Sequence, residues 1–267
     1  MIAVFTPTRL MGGIDVGVSS LLRQKRTDIC WFVADEHFEA REEMWKVVST
    51  CVPFEIHPFR VDPNPGTSRT LVKSYNAGLE KARERECAFF VSMQDYFWIN
   101  PDGLRMFESM AMMYPNDLFT GVAHISTTPH ADAVVDKGAH FSIFKRPFTD
   151  NPSRTVLSYE DCRVRSDDVQ PRRVPEIEWE TNWAAMSSKV LYSEIEFDEE
   201  YDMGIAYENQ AFAHTCGEQL GSQVWLDPDN VVYGLPHKAY WPEIEQADMP
   251  ANRFNREMHL DKWSHRE

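Results

Sequence analysis

Hydroxyl, carboxylate and amide side chains recur in this sequence where short apolar segments end. The end positions are Thr6-Pro7-Thr8-Arg9, Asp35-Glu36 and Gln94-Asp95-Tyr96. A carboxylate accepts hydrogen bonds from hydroxyl or ring N–H donors, and it ligates hard divalent cations. These residue types predict a site for a polar, hydroxyl-rich ligand. The competing interpretation of Asp35 is that its side chain caps the helix that follows.

Acidic side chains cluster again in the second half of the chain. They are Asp198, Glu199, Asp202 and Glu208, with His237 further on. A carboxylate within hydrogen-bond reach of a substrate hydroxyl can act as a general base, and an imidazole can ligate a metal ion. Asn209, next to Glu208, cannot take a proton. Glu208 and Asn209 also suit the first turn of a helix, and His237 after Pro236 also suits an ordinary loop.

Alternating strands and helices must position these residues in the first half. Apolar segments predict strands at Ile2–Thr6, Ile29–Ala34, Phe54–Phe59, Cys87–Met93 and Leu118–His124. Three- and four-residue spacing predicts helices at Ser19–Gln24, Glu39–Thr50, Thr70–Arg85 and Pro101–Tyr114. Short, wholly apolar strands that alternate with helices are typical of a parallel sheet with helices on both faces. Ligands bind such sheets outside the carboxyl ends of the strands, where the polar residues lie.

The second half is less regular. Residues 126–178 predict an irregular insertion or acceptor region, with a hairpin around His140–Phe144. Regular structure returns at Asn182–Leu191, in a helix from Tyr207 to a stop at Gly217, and in a strand over Val224–Val232. Basic residues available for phosphate are Lys145, Arg146, Arg163, Arg165, Arg172 and Arg173. The aromatic residues Tyr96, Phe97, Trp98, Trp179 and Trp183 suit either a stacking platform or the core.

Composition excludes several classes of protein. The 267 residues are 43% hydrophobic, which excludes disorder, and the net charge of −15 disfavours non-specific binding to nucleic acid. No apolar run approaches the roughly 20 residues that span a bilayer, and the start lacks a signal sequence, so we predict a cytoplasmic protein. The five cysteines have no C-x-x-C spacing, which predicts reduced thiols and neither disulfides nor a zinc site.

An ordered series of motifs resembles the family 2 glycosyltransferases. The motifs are Phe5-Thr6-Pro7-Thr8-Arg9, Ser20-Leu21-Leu22-Arg23-Gln24, Tyr75-Asn76-Ala77-Gly78-Leu79-Glu80-Lys81-Ala82, Phe197-Asp198-Glu199 and Glu208-Asn209. This resemblance implies the glycosyltransferase A (GT-A) fold, an α/β fold whose mostly parallel sheet is flanked by helices. It also implies one nucleotide-binding domain over residues 1–240, followed by a C-terminal tail over 241–267.

The resemblance assigns roles to individual residues. Nucleotide-binding residues would be Thr6, Pro7, Thr8, Arg9, Asp35, Asn76, Gln94 and Asp95. Asp95 and His237 would hold Mn²⁺ or Mg²⁺, and Glu208 and Asp198 would be catalytic. The chain departs from the family at its metal motif, where Gln94 and Tyr96 flank a single acid, and at the base position, which is Asn209. Metal dependence and the choice between inversion and retention of configuration therefore stay open.

The implied activity is transfer of a hexose or pentose from a nucleotide-diphosphate sugar to an unidentified acceptor. The acceptor classes are a small molecule, a protein, a polysaccharide or a modified DNA base. One alternative is a sugar nucleotidyltransferase, of which Gly12-Gly13 after the first strand is a faint sign. Another is a catalytically degenerate binding or scaffold protein on the same fold. The products separate these classes, because a nucleotidyltransferase forms pyrophosphate and a glycosyltransferase releases a nucleoside diphosphate.

Overall fold

The computed structural model describes residues 1–8, 14–62, 70–95, 97–126, 157–159, 163, 170–203, 207–234, 258–259 and 262. The strands are β1 (Ile2–Thr8), β2 (Ile29–Asp35), β3 (Glu55–Phe59), β4 (Phe90–Met93), β5 (Phe97–Ile99), β6 (Leu118–Ser126), β7 (Leu157–Tyr159), β8 (Arg172–Val174), β9 (Trp183–Met186) and β10 (Val224–Gly234). The helices are α1 (Ile14–Arg23), α2 (Phe38–Cys51), α3 (Leu71–Glu84), α4 (Gly103–Met113), α5 (Ser188–Leu191) and α6 (Glu208–Leu220). Short 3₁₀ turns cover Glu176–Glu178 and Glu199–Met203.

Within these ranges the strands form one ten-stranded sheet. Its order is β3-β2-β1-β4-β9-β6-β10-β5, with β7 paired to β6 and β8 paired to β10. Strands β1 to β4 are parallel, and β9 runs antiparallel between β4 and β6. Because β6 is also antiparallel to β9, it points the same way as β4 and β1. Strand β10 is parallel to β6, and β5 is antiparallel to β10. The predicted α/β class with a mostly parallel sheet is confirmed.

Alternating side chains of the sheet build two cores, one on each face. In β1, Ile2 and Val4 pack with residues of α1, α2 and α4, whereas Ala3 and Phe5 pack with residues of α3 and α6. This division follows from the two-residue period of a strand. Gly78, which weakens the helix prediction, lets α3 lie close to β1, since a Cβ there would be 2.5 Å from the Phe5 ring.

The second half differs from the prediction in its details. Helix α6 continues through Gly217 and ends at Leu220, because Gly221 is the residue that adopts the left-handed conformation (φ 69°) that stops the helix. The pairing of β10 with β6 shifts register between Leu226 and Val231, within the predicted strand Val224–Val232 and at its Pro228-Asp229 step. The predicted hairpin at His140–Phe144 lies outside the described residues. None of the described helices is long and apolar enough to cross a bilayer.

Candidate functional site

Thr8 and Asp95 bring the ends of β1 and β4 together. Thr8 Oγ1 donates a 2.6 Å hydrogen bond to Asp95 Oδ2, and both side chains are buried. The main chain adds a link to β2, since Glu36 N–H donates to the Thr8 carbonyl at 3.1 Å. The parallel pairing of β1 with β2 and β4 places all three carboxyl ends at one edge of the sheet. We call this edge, defined by Thr8, Asp35 and Asp95, the carboxyl edge.

Asp35 is held by the helix that follows it. Its Oδ1 accepts from His37 N–H (2.8 Å) and from Arg41 Nη1 (3.0 Å), and its Oδ2 accepts from Trp45 Nε1 (2.8 Å). The ion pair with Arg41 is fully enclosed. A carboxylate has about four acceptor positions, and these three donors fill three of them, while the side chain itself is 0% exposed. The hydrogen bond from the His37 N–H, at the start of α2, agrees with the competing interpretation that the Asp35 side chain stabilises the start of the next helix.

Gln94 contacts a segment that the sequence does not predict to lie near it. Its main-chain N–H donates to the Asn182 carbonyl (3.2 Å), and its Nε2 donates to Asn182 Oδ1 (3.3 Å). Asn182 Nδ2 in turn donates to Glu180 Oε2 at 3.4 Å. The antiparallel pairing of β4 with β9 causes this approach, because Met93 pairs with Trp183. Residues this far apart along the chain carry no spacing signal, so Glu180 and Asn182 could not be found from sequence alone.

A buried hydroxyl chain joins α3 to the same region. Ser92 Oγ donates to the Thr181 carbonyl at 2.5 Å. Because this bond uses the only hydroxyl proton of Ser92, the Tyr75 hydroxyl is the donor in the 2.9 Å contact between them. Burial raises the pKa of Tyr75 to about 12, and the charge of Glu208 also raises it. Tyr75 therefore stays protonated at neutral pH.

Glu208 and Asn209 open helix α6 beside the 3₁₀ turn at Glu176–Glu178. Both side chains are buried. Asn209 Nδ2 donates to the Trp179 carbonyl at 3.0 Å, so the amide at the family's base position fixes the main chain. Tyr207, just before the helix, has a positive φ of 70°, an uncommon conformation for a tyrosine. This strained turn aims the start of α6, where the helix dipole favours the negative charge of Glu208.

Asp198 lies at the surface in an ion pair. Its Oδ2 is 2.5 Å from Lys262 Nζ, which also contacts Glu200 Oε2 at 2.8 Å. Oδ1 of Asp198 accepts from Glu200 N–H. The side chain is 39% exposed. Of the two predicted catalytic acids, Glu208 is thus buried, whereas Asp198 is paired with a lysine from the C-terminal tail.

Asn76 and Asp202 hold the segment between β9 and α6 against α3. Asn76 Nδ2 donates to the Phe197 carbonyl (2.9 Å), and Phe197 N–H donates back to Asn76 Oδ1 (2.8 Å). Asp202 accepts from the N–H groups of Val72 and Lys73, which are free donors of the first turn of α3. Both amide atoms of Asn76 have main-chain partners, so its predicted contact with a nucleotide stays a prediction.

The basic and aromatic side chains of the second half have mainly structural partners. Arg163 donates to Thr120 Oγ1 and to the carbonyls of Gly121 and Glu178, and its side chain is 8% exposed. The indole N–H groups of Trp179 and Trp183 donate to the Phe119 carbonyl and to Asn230 Oδ1. Both rings are at most 1% exposed. Of the two interpretations, the core therefore holds for these two tryptophans, which are buried and whose N–H groups have buried acceptors.

Of the remaining predicted nucleotide-binding residues, Thr6 and Pro7 lie in β1 immediately before Thr8. Thr6 is buried one pleat before Thr8, and its Oγ1 accepts from Trp31 Nε1 at 2.9 Å. Pro7 is half-buried and pairs with Ala34 in the sheet. Arg9, Tyr96 and His237 lie outside the described residues.

Asp95 supplies the only carboxylate of the family's metal motif in this chain. Thr8 donates to one of its oxygens, and among the described residues no set of three His, Cys, Asp or Glu side chains surrounds it at metal-binding distances. The described donors therefore fit a cation that a ligand's own oxygens mainly coordinate. They do not form a protein cage.

Comparison with solved structures identifies the architecture. S. aureus TarS 1-349 in complex with UDP-GlcNAc has a TM-score of 0.56 and 16% identity, over 87% of this chain and 58% of that chain. GalNAc-T7 with UDP, GalNAc and Mn²⁺ has a TM-score of 0.55 and 11% identity, over 88% of this chain and 43% of that chain. Both are GT-A-type glycosyltransferases. This chain has the GT-A fold.

The similarity is one of fold and not of sequence. By sequence, the chain matches no protein-family profile and no curated protein. The chain spans 60% or less of the length of these structures. The longer S. aureus TarS chain aligns with a TM-score of 0.53 and 15% identity over 88% of this chain, which spans 36% of that chain. In the GT-A fold of this chain, Thr8, Asp35 and Asp95 share the carboxyl edge, where open α/β sheets bind their ligands.

Proposed function

We propose that this protein transfers a sugar from a nucleoside-diphosphate sugar to an acceptor hydroxyl. The observation that carries the proposal is the buried contact of Thr8 with Asp95, because it fixes the single acid of the metal motif at the carboxyl edge of a GT-A fold. UDP-sugars are the first donors to test, since UDP-GlcNAc is bound in the TarS structure and UDP in the GalNAc-T7 structure. The turn after β1 and Asp35 would hold the nucleoside.

The diphosphate requires a compensating positive charge. Asp95 and His237 would hold a divalent cation, Mn²⁺ or Mg²⁺, together with the diphosphate oxygens. Such a cation, when bound, neutralises the charge that develops on the leaving diphosphate. Because Asp95 is the single acid of the metal motif, cation binding should depend on the nucleotide. Arg163 is already engaged by Thr120 and two carbonyls and does not replace the cation.

Glu208 is the proposed general base. It would take the proton of the acceptor hydroxyl, whose oxygen attacks the anomeric carbon while the bond from that carbon to the diphosphate oxygen breaks. The products are the glycosylated acceptor and a nucleoside diphosphate. Two observations favour Glu208 over Asp198: Glu208 is buried, whereas Asp198 is an exposed ion-pair partner of Lys262. In a retaining reaction Glu208 would instead serve to orient the donor.

The second candidate is a GT-A protein that binds nucleotide sugars without turnover. It is favoured by Asn209, whose amide is committed to the Trp179 carbonyl at the position where the family carries its base. A sugar nucleotidyltransferase has no specific support among the described contacts.

Incubation of the protein with UDP-glucose, UDP-GlcNAc, UDP-galactose and UDP-xylose separates these functions. Nucleotide products would be resolved by chromatography, with and without Mn²⁺ and with a panel of acceptors from the four classes. Slow hydrolysis gives a signal even when the true acceptor is missing. Release of UDP that is lost in Glu208→Gln supports the transferase. Pyrophosphate release would indicate a nucleotidyltransferase, and tight binding without any release would indicate the binding protein.

A further inference from the structure

A cluster of metal-ligating side chains lies at the end of β2 away from the carboxyl edge. Cys30 is the second residue of β2 and pairs with Glu55, the first residue of β3. His57 lies two residues beyond Glu55, so the two-residue period of a strand puts its side chain on the same face. Cys30 precedes Asp35 by five residues, or about 16 Å of strand. The cluster is therefore separate from the proposed nucleotide site.

The donor atoms are already arranged around a common point. Cys30 Sγ is 3.5 Å from Glu55 Oε2, and Glu55 Oε2 is 2.9 Å from His57 Nε2. All three ligand atoms lie within 4.8 Å of one another. In a tetrahedral zinc site, bond lengths near 2.0 Å to nitrogen or oxygen and near 2.3 Å to sulfur separate the ligand atoms by about 3.3 to 3.6 Å. A small shift of the half-exposed His57 would bring the three atoms to that spacing.

Neighbouring residues would support such a site. Arg85 Nη1 lies 3.2 Å from Glu55 Oε2 and holds the carboxylate toward the cluster. The His57 ring stacks on Phe32 with 5.4 Å between centroids and 24° between planes, which limits its rotation. Met1 Sδ is 3.7 Å from Cys30 Sγ and offers a further soft donor. Glu55 and His57 are 47% and 28% exposed, so an ion can enter from solvent.

We propose that Cys30, Glu55 and His57 bind a zinc ion. A thiolate, an imidazole and a carboxylate form a donor set that suits zinc and disfavours Mg²⁺, which prefers oxygen ligands alone. The sequence predicts no zinc site because C-x-x-C spacing is absent, but here the ligands come from two neighbouring strands. The ion would tie edge strand β3, whose residues are only partly buried, to the buried strand β2.

Cobalt titration of the tag-free chain tests this proposal. The chain, first stripped with a chelator, is titrated with Co²⁺, which reports thiolate ligation through a near-ultraviolet charge-transfer band, and then with Zn²⁺. We expect one equivalent of Co²⁺ to bind with that band and Zn²⁺ to displace it. His57→Ala and Cys30→Ser should weaken binding at least tenfold. Cys51→Ser, which removes an exposed thiol outside the cluster, should bind as the parent does.

The controls separate this site from other metal binding. Asp95→Asn should keep the charge-transfer band, since a cation at the carboxyl edge has no thiolate ligand. Zinc should raise the melting temperature of the parent and of Cys51→Ser but not that of His57→Ala. If Cys30→Ser does not fold, the result for the surface variant His57→Ala decides. A parent without the band, or a band unchanged in His57→Ala, overturns the proposal.

Discussion

Thr8 Oγ1 donates a 2.6 Å hydrogen bond to Asp95 Oδ2 across the ends of β1 and β4. The two residues are separated by 87 positions in the sequence, and each side chain is at most 2% exposed. Burial of a carboxylate is costly unless it is hydrogen-bonded, so this contact stabilises the buried side chain of Asp95 in one orientation. Thr8 thus positions the residue on which the proposed diphosphate site depends.

Replacement of Thr8 by valine should destabilise the protein by about 1–3 kcal/mol, because it leaves a buried carboxylate oxygen without one donor. Thr8→Ser keeps the hydroxyl and loses one methyl group, so its cost should be about 1 kcal/mol or less. Chemical denaturation measures both differences. Equal stability of the two variants would mean that the hydrogen bond to Asp95 contributes nothing.

Glu208→Gln should lower the rate of UDP release from a UDP-sugar by about 10²-fold or more, the usual contribution of a general base. Asp198→Asn, the matched substitution at the exposed acid paired with Lys262, should change the rate little. Initial-rate measurements on both variants, with melting temperatures as a check on folding, compare the two acids. The reverse order of effects would assign the base to Asp198.

Asn76→Ala should destabilise the protein by roughly 2–3 kcal/mol, because two main-chain groups of Phe197 lose their partners. Phe197 is 2% exposed and stacks on Tyr75 and Phe212 at 4.8 and 4.2 Å, so water cannot easily replace Asn76. Asn100→Ala, at an exposed asparagine, is the control. Calorimetry with UDP titration should show lower stability and unchanged affinity. Weaker UDP binding at unchanged stability would instead support the nucleotide-binding role.

Sequence alone predicts the first half of the sheet well because most of its strands, such as β1, β2 and β4, are buried on both faces and are therefore apolar. Ile29–Asp35 is buried at every position, and the prediction of Ile29–Ala34 misses only the polar last residue. Strands β5 and β8 are missed because each has only three residues, which is too few to give a periodic signal. In β8 (Arg172–Val174), two of the three residues are also arginines. Three-residue β7 is missed for the same lack of length.

The candidate site is predicted less completely than the fold. Residue types and their positions at the ends of apolar segments identify Thr8, Asp35 and Asp95 as candidate site residues, because the carboxyl ends of parallel strands meet at one edge of the sheet. They do not reveal which groups already have partners: the enclosure of Asp35 by Arg41 and Trp45 depends on how α2 packs. The approach of Glu180 and Asn182 to Gln94 depends on the antiparallel insertion of β9, which no local pattern encodes.

Asp227 should give the protein a measurable pH dependence. Burial raises the pKa of this carboxyl, although the N–H groups of Asp229 and Asn230 partly offset the effect. A raised folded-state pKa means that the folded protein holds the proton more tightly than the unfolded chain, so stability from this group is lost as pH rises through that pKa. Between about pH 3 and pH 7, the stability of the parent relative to Asp227→Asn should therefore fall. Denaturation curves that stay parallel across this range would contradict the assignment.

The most direct test of the nucleotide site is a thermal-shift comparison of UDP, GDP, CMP and ADP, each with and without Mn²⁺, on the parent and on Asp95→Asn. A ligand that binds only the folded state raises the melting temperature. We expect one nucleoside diphosphate, with UDP the first choice, to stabilise the parent in the presence of Mn²⁺. Mn²⁺ alone should change the melting temperature of the parent little. Asp95→Asn should lose the nucleotide-dependent shift. No stabilisation by any of the nucleotides at millimolar concentration, or an identical shift in Asp95→Asn, would contradict the proposed nucleotide site.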